Sequence, residues 1–187
     1  MKMAGKIALL AWGSLLWEGG AAFDAEHEPW QYGGPLLRIE FSRISSSRNG
    51  ALTLVIDPEK GSLVRVAWCL SRRSAISEVI EDLRQRERTS PQNIGRVSVA
   101  GESQCRDKES LEAIRSWAAQ PQLGGVVWTD LRGNFAKQIG APFSIDAAKR
   151  YLRGLQDEHR TKALEYIRRA PAFVRTPLRD ALADDLT

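Results

Sequence analysis

The sequence predicts an α+β protein. Three features carry that expectation. Short apolar runs bounded by Gly, Pro and Asn turns fill the first hundred residues. One clear helical periodicity follows at Ile76, Val79, Ile80 and Leu83, and the segment from Ser144 onward reads as capped helices. At 187 residues the chain is long enough for one well-buried domain. Its hydrophobic content of 43% and charged content of 27% are ordinary globular values, which excludes disordered and fibrous classes. The expected organisation is a main domain over residues 1–143 and a helical extension over 144–187 packed on it.

Taken in order, Ile7-Ala8-Leu9-Leu10 reads as a buried first strand, and Ala11-Trp12-Gly13-Ser14-Leu15-Leu16-Trp17 follows it. A Gly-Ser pair at a strand exit leaves backbone N–H groups without a ladder partner. Gly also lets a ligand carbonyl or anion approach the main chain closely. The same pair is also an ordinary turn, and the local sequence leaves both open. After the Gly33-Gly34-Pro35 break, Leu36 to Phe41 reads as a strand, and Asn49-Gly50 is a hairpin signal. Leu52 to Ile56 and Leu63 to Leu70, joined by the Asp57–Gly61 turn, read as partners in an antiparallel meander. Ile94 to Ala100 and Gly124 to Thr129 are further strands, and Lys108 to Gln120 is a helix with Leu111, Ile114 and Ala118 inward. Three helices close the chain. Ser144 caps Ile145 to Leu155, a second runs from His159 to Ala170, and Thr176-Pro177 opens a short last one.

Composition removes several chemistries. No apolar run approaches the roughly 20 residues that span a bilayer. Lys2, Lys6 and the run that follows imitate a signal peptide. However, Gly13-Ser14 breaks the run and Trp17-Glu18 occupies the cleavage region, so the stretch is read as a strand. The two cysteines, Cys69 and Cys105, offer neither a disulfide framework nor a metal clip, which fits a reducing, cytoplasmic compartment. The two histidines, His27 and His159, lack ligand-like spacing, so neither a metal site nor a Ser-His triad is supported. The net charge of +4 comes mostly from arginine. With no compact basic block interleaved with aromatics, it suits a small anionic substrate or a solvated surface better than nucleic acid.

The helix is expected over Arg72 to Arg88, capped by Ser71 or Ser74 and stopped by Thr89-Ser90-Pro91. Its apolar stripe, continued by one step, places Glu87 at the inner end, while Glu81, Arg84, Gln85 and Arg88 point elsewhere. Desolvation and the negative end of the helix dipole both favour a neutral acid there, which would let it trade protons near neutral pH. A glutamate paired to a neighbouring arginine at a fraying helix end fits the same position.

Three of these segments, in this order, resemble the gamma-glutamylcyclotransferases, most closely their ChaC-like branch. Ala11 to Trp17 resembles the Tyr-Gly-Ser-Leu loop of that family. Thr53 to Pro58 with Val64 to Leu70 resembles its central hairpin. Leu83-Arg84-Gln85-Arg86-Glu87 resembles the helix end that carries its catalytic glutamate. The match covers roughly residues 5 to 100, and Tyr151-Leu152 is similar to a late Tyr-Leu at the family's pocket. Trp12 stands where the family has Tyr, and Arg88-Thr89-Ser90 replaces a Gly-Gly-Tyr segment.

The resemblance implies a mixed, partly closed β-barrel flanked by helices. It also implies a cofactor-free reaction in which a gamma-glutamyl amine or peptide cyclises to 5-oxoproline and releases the amine. In that scheme Glu87 is the general acid and base, and Trp12, Gly13, Ser14 and Leu15 hold the substrate. Arg43 is a candidate for its carboxylate and Tyr151 for the pocket wall. The expected partner is a small gamma-glutamyl compound, not nucleic acid or membrane. Three rivals stand beside it: a non-catalytic binding protein of the same fold, acyl transfer or hydrolysis on another gamma-glutamyl amide, and nucleic-acid binding through the arginines, which predicts a steep loss of affinity with salt.

Overall fold

The computed structural model describes residues 5–99 and 101–186; the expectations that touched Lys2, Ala100 and Thr187 lie outside them. In chain order the elements are β1 (Ile7–Ala11), α1 (Ala21–Asp24), β2 (Leu36–Ser45), β3 (Ala51–Ile56), β4 (Ser62–Arg65) and β5 (Ala67–Leu70). They continue with α2 (Ile76–Glu87), β6 (Ile94–Ser98), β7 (Ser103–Gln104), α3 (Lys108–Ala119) and β8 (Gly125–Thr129). The chain ends with α4 (Phe135–Ile139), α5 (Ile145–Gly154), α6 (Asp157–Arg169) and α7 (Pro177–Ala181). The fold is α+β, as expected. No helix is long and apolar enough to cross a membrane among the described residues.

The chain forms two compact units, one of Met1–Leu37 with Arg65–Leu131, the other of Arg38–Val64 with Arg132–Thr187. The first holds a five-stranded sheet in the order β5-β1-β8-β6-β7. β1 runs antiparallel to β5, with Leu9 opposite Cys69, and parallel to β8, with Leu9 beside Val127. Strand side chains alternate between faces. Ile7, Leu9, Cys69, Ile94 and Val127 therefore share one face, on which Val79 and Leu83 of α2 close the core. On the opposite face Trp68 meets Trp117 of α3, edge to face at 5.3 Å, and the Trp117 indole donates to the Gly33 carbonyl at 3.1 Å. Gly95 sits opposite Trp128, whose indole lies where a Cβ on Gly95 would project.

Among the described residues the strands form two sheets, of five and three strands, and no closed barrel. One sequence expectation fails here: the run from Leu63 to Leu70 is not the partner of Leu52–Ile56. It breaks at Val66 into β4, which lies beside β2, and β5, which pairs with β1. The break has a backbone cause. Gly34 N–H donates to Val66 O at 2.9 Å and Val66 N–H to Pro35 O at 3.1 Å. This approach leaves no room for a side chain, since a Cβ at Gly34 would stand 2.6 Å from Val66 O.

Helix α2 starts at Ile76 rather than Arg72, with Ala75 as its N-cap. Ser71 is engaged elsewhere: its Oγ accepts from Arg73 N–H at 3.1 Å and donates to Glu26 O at 3.3 Å. Glu78 supplies the acceptor at the cap instead, its carboxylate taking the Ala75 N–H at 3.2 Å.

The second unit holds β3-β2-β4 and α4 to α7. β2 and β3 are antiparallel about the Asn49-Gly50 turn, with Ser45 opposite Ala51 and a register shift between Glu40 and Arg43. Helix α6 packs on β3. Ser144 and Thr176 cap α5 and α7 as the sequence indicates, accepting from Ala147 N–H and Arg179 N–H. Glu40 is completely buried, its carboxylate accepting from Phe41 N–H at 2.7 Å and from Leu178 N–H, in the first turn of α7, at 3.4 Å.

Candidate active site

The loop after β1 and the end of α2, far apart in the chain, belong to the same unit and are tied to each other. Trp12 is buried at 5% exposure, and the chain then makes a 3-10 turn over Ser14–Leu16. Leu16 N–H bonds to Gly13 O at 3.0 Å and Glu18 N–H to Ser14 O at 2.7 Å. The N–H groups of Gly13 and Leu15 open this turn and have no partner inside it. Leu15 itself packs against the core that contains Leu83. The Arg86 guanidinium, 18% exposed, donates through Nη2 to the carbonyl of Glu18 at the far end of the loop.

Glu87 is the last residue of α2. Arg88 follows in the left-handed region at φ 48° and turns the chain away, its N–H bonding to Gln85 O at 3.1 Å. The Glu87 side chain is one-fifth exposed, with Oε1 4.0 Å from Nη1 of Arg86. The carboxylate is thus largely buried, and an arginine stands beside it. Glu81, earlier on the same helix, contrasts with it. Arg84 and Gln85 bind its exposed carboxylate, and the hydrogen bond from Arg84 is the main cause that lowers its pKa to about 2. A base so strongly held in its ionised form is a poor proton carrier at neutral pH.

Two further groups at this end of the unit are not among the sequence candidates. Asp130, buried at the exit of β8, accepts the Arg106 N–H at 2.8 Å and gives its own N–H to Asn93 O at 2.8 Å. Thr129 precedes it. Their only sequence signal is a polar pair closing the apolar run Val126–Trp128.

The remaining candidates lie in the second unit. Arg43 donates through Nη1 to Arg132 O at 2.8 Å. The Tyr151 hydroxyl donates to Gly50 O at 2.7 Å and sits over the hairpin turn, so a backbone partner already accounts for its position. Burial raises the pKa of both thiols, Cys105 to about 11 and Cys69 further, so neither presents a thiolate at neutral pH. His27 is wedged between Phe23 and Trp30 with its Nδ1 2.7 Å from Glu28 O, to which it donates, a packing role. Among the described residues, no group of three or more His, Cys, Asp or Glu is placed to hold a metal ion. No protein-family model matches the chain, and no curated protein matches its sequence.

Proposed function

We propose that this protein is a gamma-glutamylcyclotransferase-like enzyme of that family's α+β fold, acting on a small gamma-glutamyl amine or peptide without a cofactor. The observation that carries the proposal is the Arg86 bond to Glu18 O, which sets the strand-exit loop against the helix end bearing Glu87. The chemistry asks for a proton carrier and oxyanion donors in one place. Glu87 takes a proton from the substrate's α-ammonium. The freed amine attacks the γ-carbonyl carbon, and a C–N bond closes the five-membered ring as the carbonyl oxygen becomes an oxyanion. The amide C–N bond then breaks as the proton held by Glu87 passes to the leaving amine, and the ring nitrogen gives its second proton back through the Glu87 carboxylate to the released amine, which leaves as an ammonium. No water is consumed, and 5-oxoproline and the free amine are the products.

Gly13 and Leu15 N–H groups are the oxyanion donors in this scheme, each such donor being worth roughly 3 kcal/mol in comparable sites. Trp12 and Ser14 complete the loop around the substrate, and the scheme makes no use of Arg43 or Tyr151, which donate to main-chain carbonyls of the second unit. A positioned acid-base group contributes about 10²–10⁴-fold. Glu87→Gln is therefore expected to lower 5-oxoproline release from glutathione or another gamma-glutamyl amine by at least about 100-fold. The folded state should survive, because the substitution is nearly isosteric. Activity that persists in this variant overturns the role of Glu87. Binding without 5-oxoproline, or release of glutamate in its place, identifies a binding protein or a hydrolase.

A further inference from the structure

We infer that Thr129 is a further substrate-positioning residue, its hydroxyl binding the α-amino-acid head of the gamma-glutamyl group; this rests on the cyclotransferase proposal above. Thr129 Oγ1 is buried and has no hydrogen-bond partner among the described residues. A buried hydroxyl left without a partner costs free energy, so its retention at one place asks for a reason.

Its position supplies one. β1 and β8 are adjacent and parallel, with Leu9 beside Val127. The pairing ends there, and Ala11 and Thr129 each lie two residues further on, at the carboxyl ends of their strands, where the Gly13 loop begins. Neighbouring parallel strands present their carboxyl ends to ligands in open α/β sheets. Thr129 also lies two residues after Val127 and pairs with Ile94, and both belong to the face that α2 covers. Its side chain accordingly faces α2 rather than α3.

The end of α2 is tied to the same spot. Thr89, two residues beyond Glu87, accepts a hydrogen bond at 2.8 Å from Nδ2 of Asn93. The carbonyl of Asn93 takes the N–H of Asp130, the residue after Thr129, at 2.8 Å. The height along the sheet agrees. A Cβ at Gly125 would stand 2.9 Å from Ile76, at the start of α2. Four strand residues advance about 13 Å, the rise of about nine helical residues, which reaches the last turn of α2. Three exits thus converge: the loop after β1, the helix end with Glu87, and the β8 end with Thr129. A hydroxyl there can accept from the substrate's ammonium and donate to its carboxylate, which neither Glu87 nor a backbone N–H can do alone.

The test compares wild type, Thr129→Val and Thr129→Ser. Each is assayed for 5-oxoproline release from glutathione, gamma-glutamylalanine and gamma-glutamyl amines, with kcat and KM taken on the best substrate. Thr129→Val is expected to raise KM about tenfold or more with kcat changed only a few-fold, and Thr129→Ser to stay near wild type. The valine variant should melt no lower than wild type, since a methyl group replaces an unpartnered hydroxyl. An unchanged KM in Thr129→Val overturns the inference, as does a serine variant impaired as badly as the valine one, because that marks a packing effect. In either of those cases wild-type turnover leaves the cyclotransferase proposal standing. A wild type that neither turns over nor binds any of these compounds overturns both.

Discussion

Arg86 and Glu18 are separated by 68 residues and joined by one hydrogen bond, from the guanidinium Nη2 to the main-chain carbonyl. That bond fixes the loop after β1 to the last turn of α2. The same guanidinium lies 4.0 Å from Glu87, and its Nε is buried without a partner among the described residues. Arg86→Met keeps the stem packed and removes the bond. A hydrogen bond from a charged group contributes about 1.5–3 kcal/mol. Relief of the unpartnered Nε offsets part of this, so the expected stability loss is about 1 kcal/mol. Amide exchange at Leu16 and Glu18 should accelerate together with a fall in 5-oxoproline release. Unchanged exchange in this loop would show that the bond does not hold it.

Gly95 gives a prediction that depends on the sheet alone. Its neighbour across the β6–β8 ladder is Trp128, completely buried, with its indole in the space a Cβ would occupy. Overpacking of this kind costs about 1–3 kcal/mol. Gly95→Ala should lower the urea midpoint, and adding Trp128→Leu should recover part of the loss, because the two residues compete for one volume. Additive effects of the two substitutions would contradict that competition.

Local chemistry makes much of this fold legible, and long-range choices stay hidden. Ser144 and Thr176 announce their helices because a cap is a contact between residues three apart. Asn49-Gly50 announces the β2–β3 hairpin for the same reason. The partner of Leu63–Leu70 is not legible. The break at Val66 depends on Gly34, 32 residues earlier, as the hydrogen-bond partner of its carbonyl. Glu87 can be placed by counting along one apolar stripe, whereas Arg86 carries no such signal until the loop it binds is in position. Thr129 is equally silent, since one threonine ending a strand is ordinary without the register of β1 beside it.

Tyr151 separates a structural from a binding role in the second unit. Its hydroxyl donates to Gly50 O at 2.7 Å, and its ring meets Phe135 edge to face at 5.9 Å. Tyr151→Phe keeps the ring and loses the bond, for which about 1 kcal/mol of stability is expected. The KM for a gamma-glutamyl substrate should not change. A KM that rises at unchanged stability would instead place the hydroxyl on the substrate, as the family resemblance implies.

Glu40 predicts how stability responds to pH. Burial raises its pKa above the ordinary 4.5, against the hydrogen bonds from Thr176, Phe41 N–H and Leu178 N–H, and Asp57 adds to the rise. The folded chain therefore binds this proton more tightly than the unfolded chain. Between pH 4.5 and the raised folded value the native state carries the extra proton, so its stability falls as pH increases through that window. A pKa higher by one in the folded chain corresponds to about 1.4 kcal/mol. Glu40→Gln does not titrate. It keeps a carbonyl oxygen for Leu178 N–H but turns an amide toward one former donor, which adds a cost that is the same at every pH. The difference in unfolding free energy between wild type and Glu40→Gln should thus decline steadily above pH 4.5 and then level off, as measured by urea unfolding at closely spaced pH values. A difference that stays flat across this range would mean that Glu40 binds its proton equally in both states and that its contact with the first turn of α7 does not depend on charge.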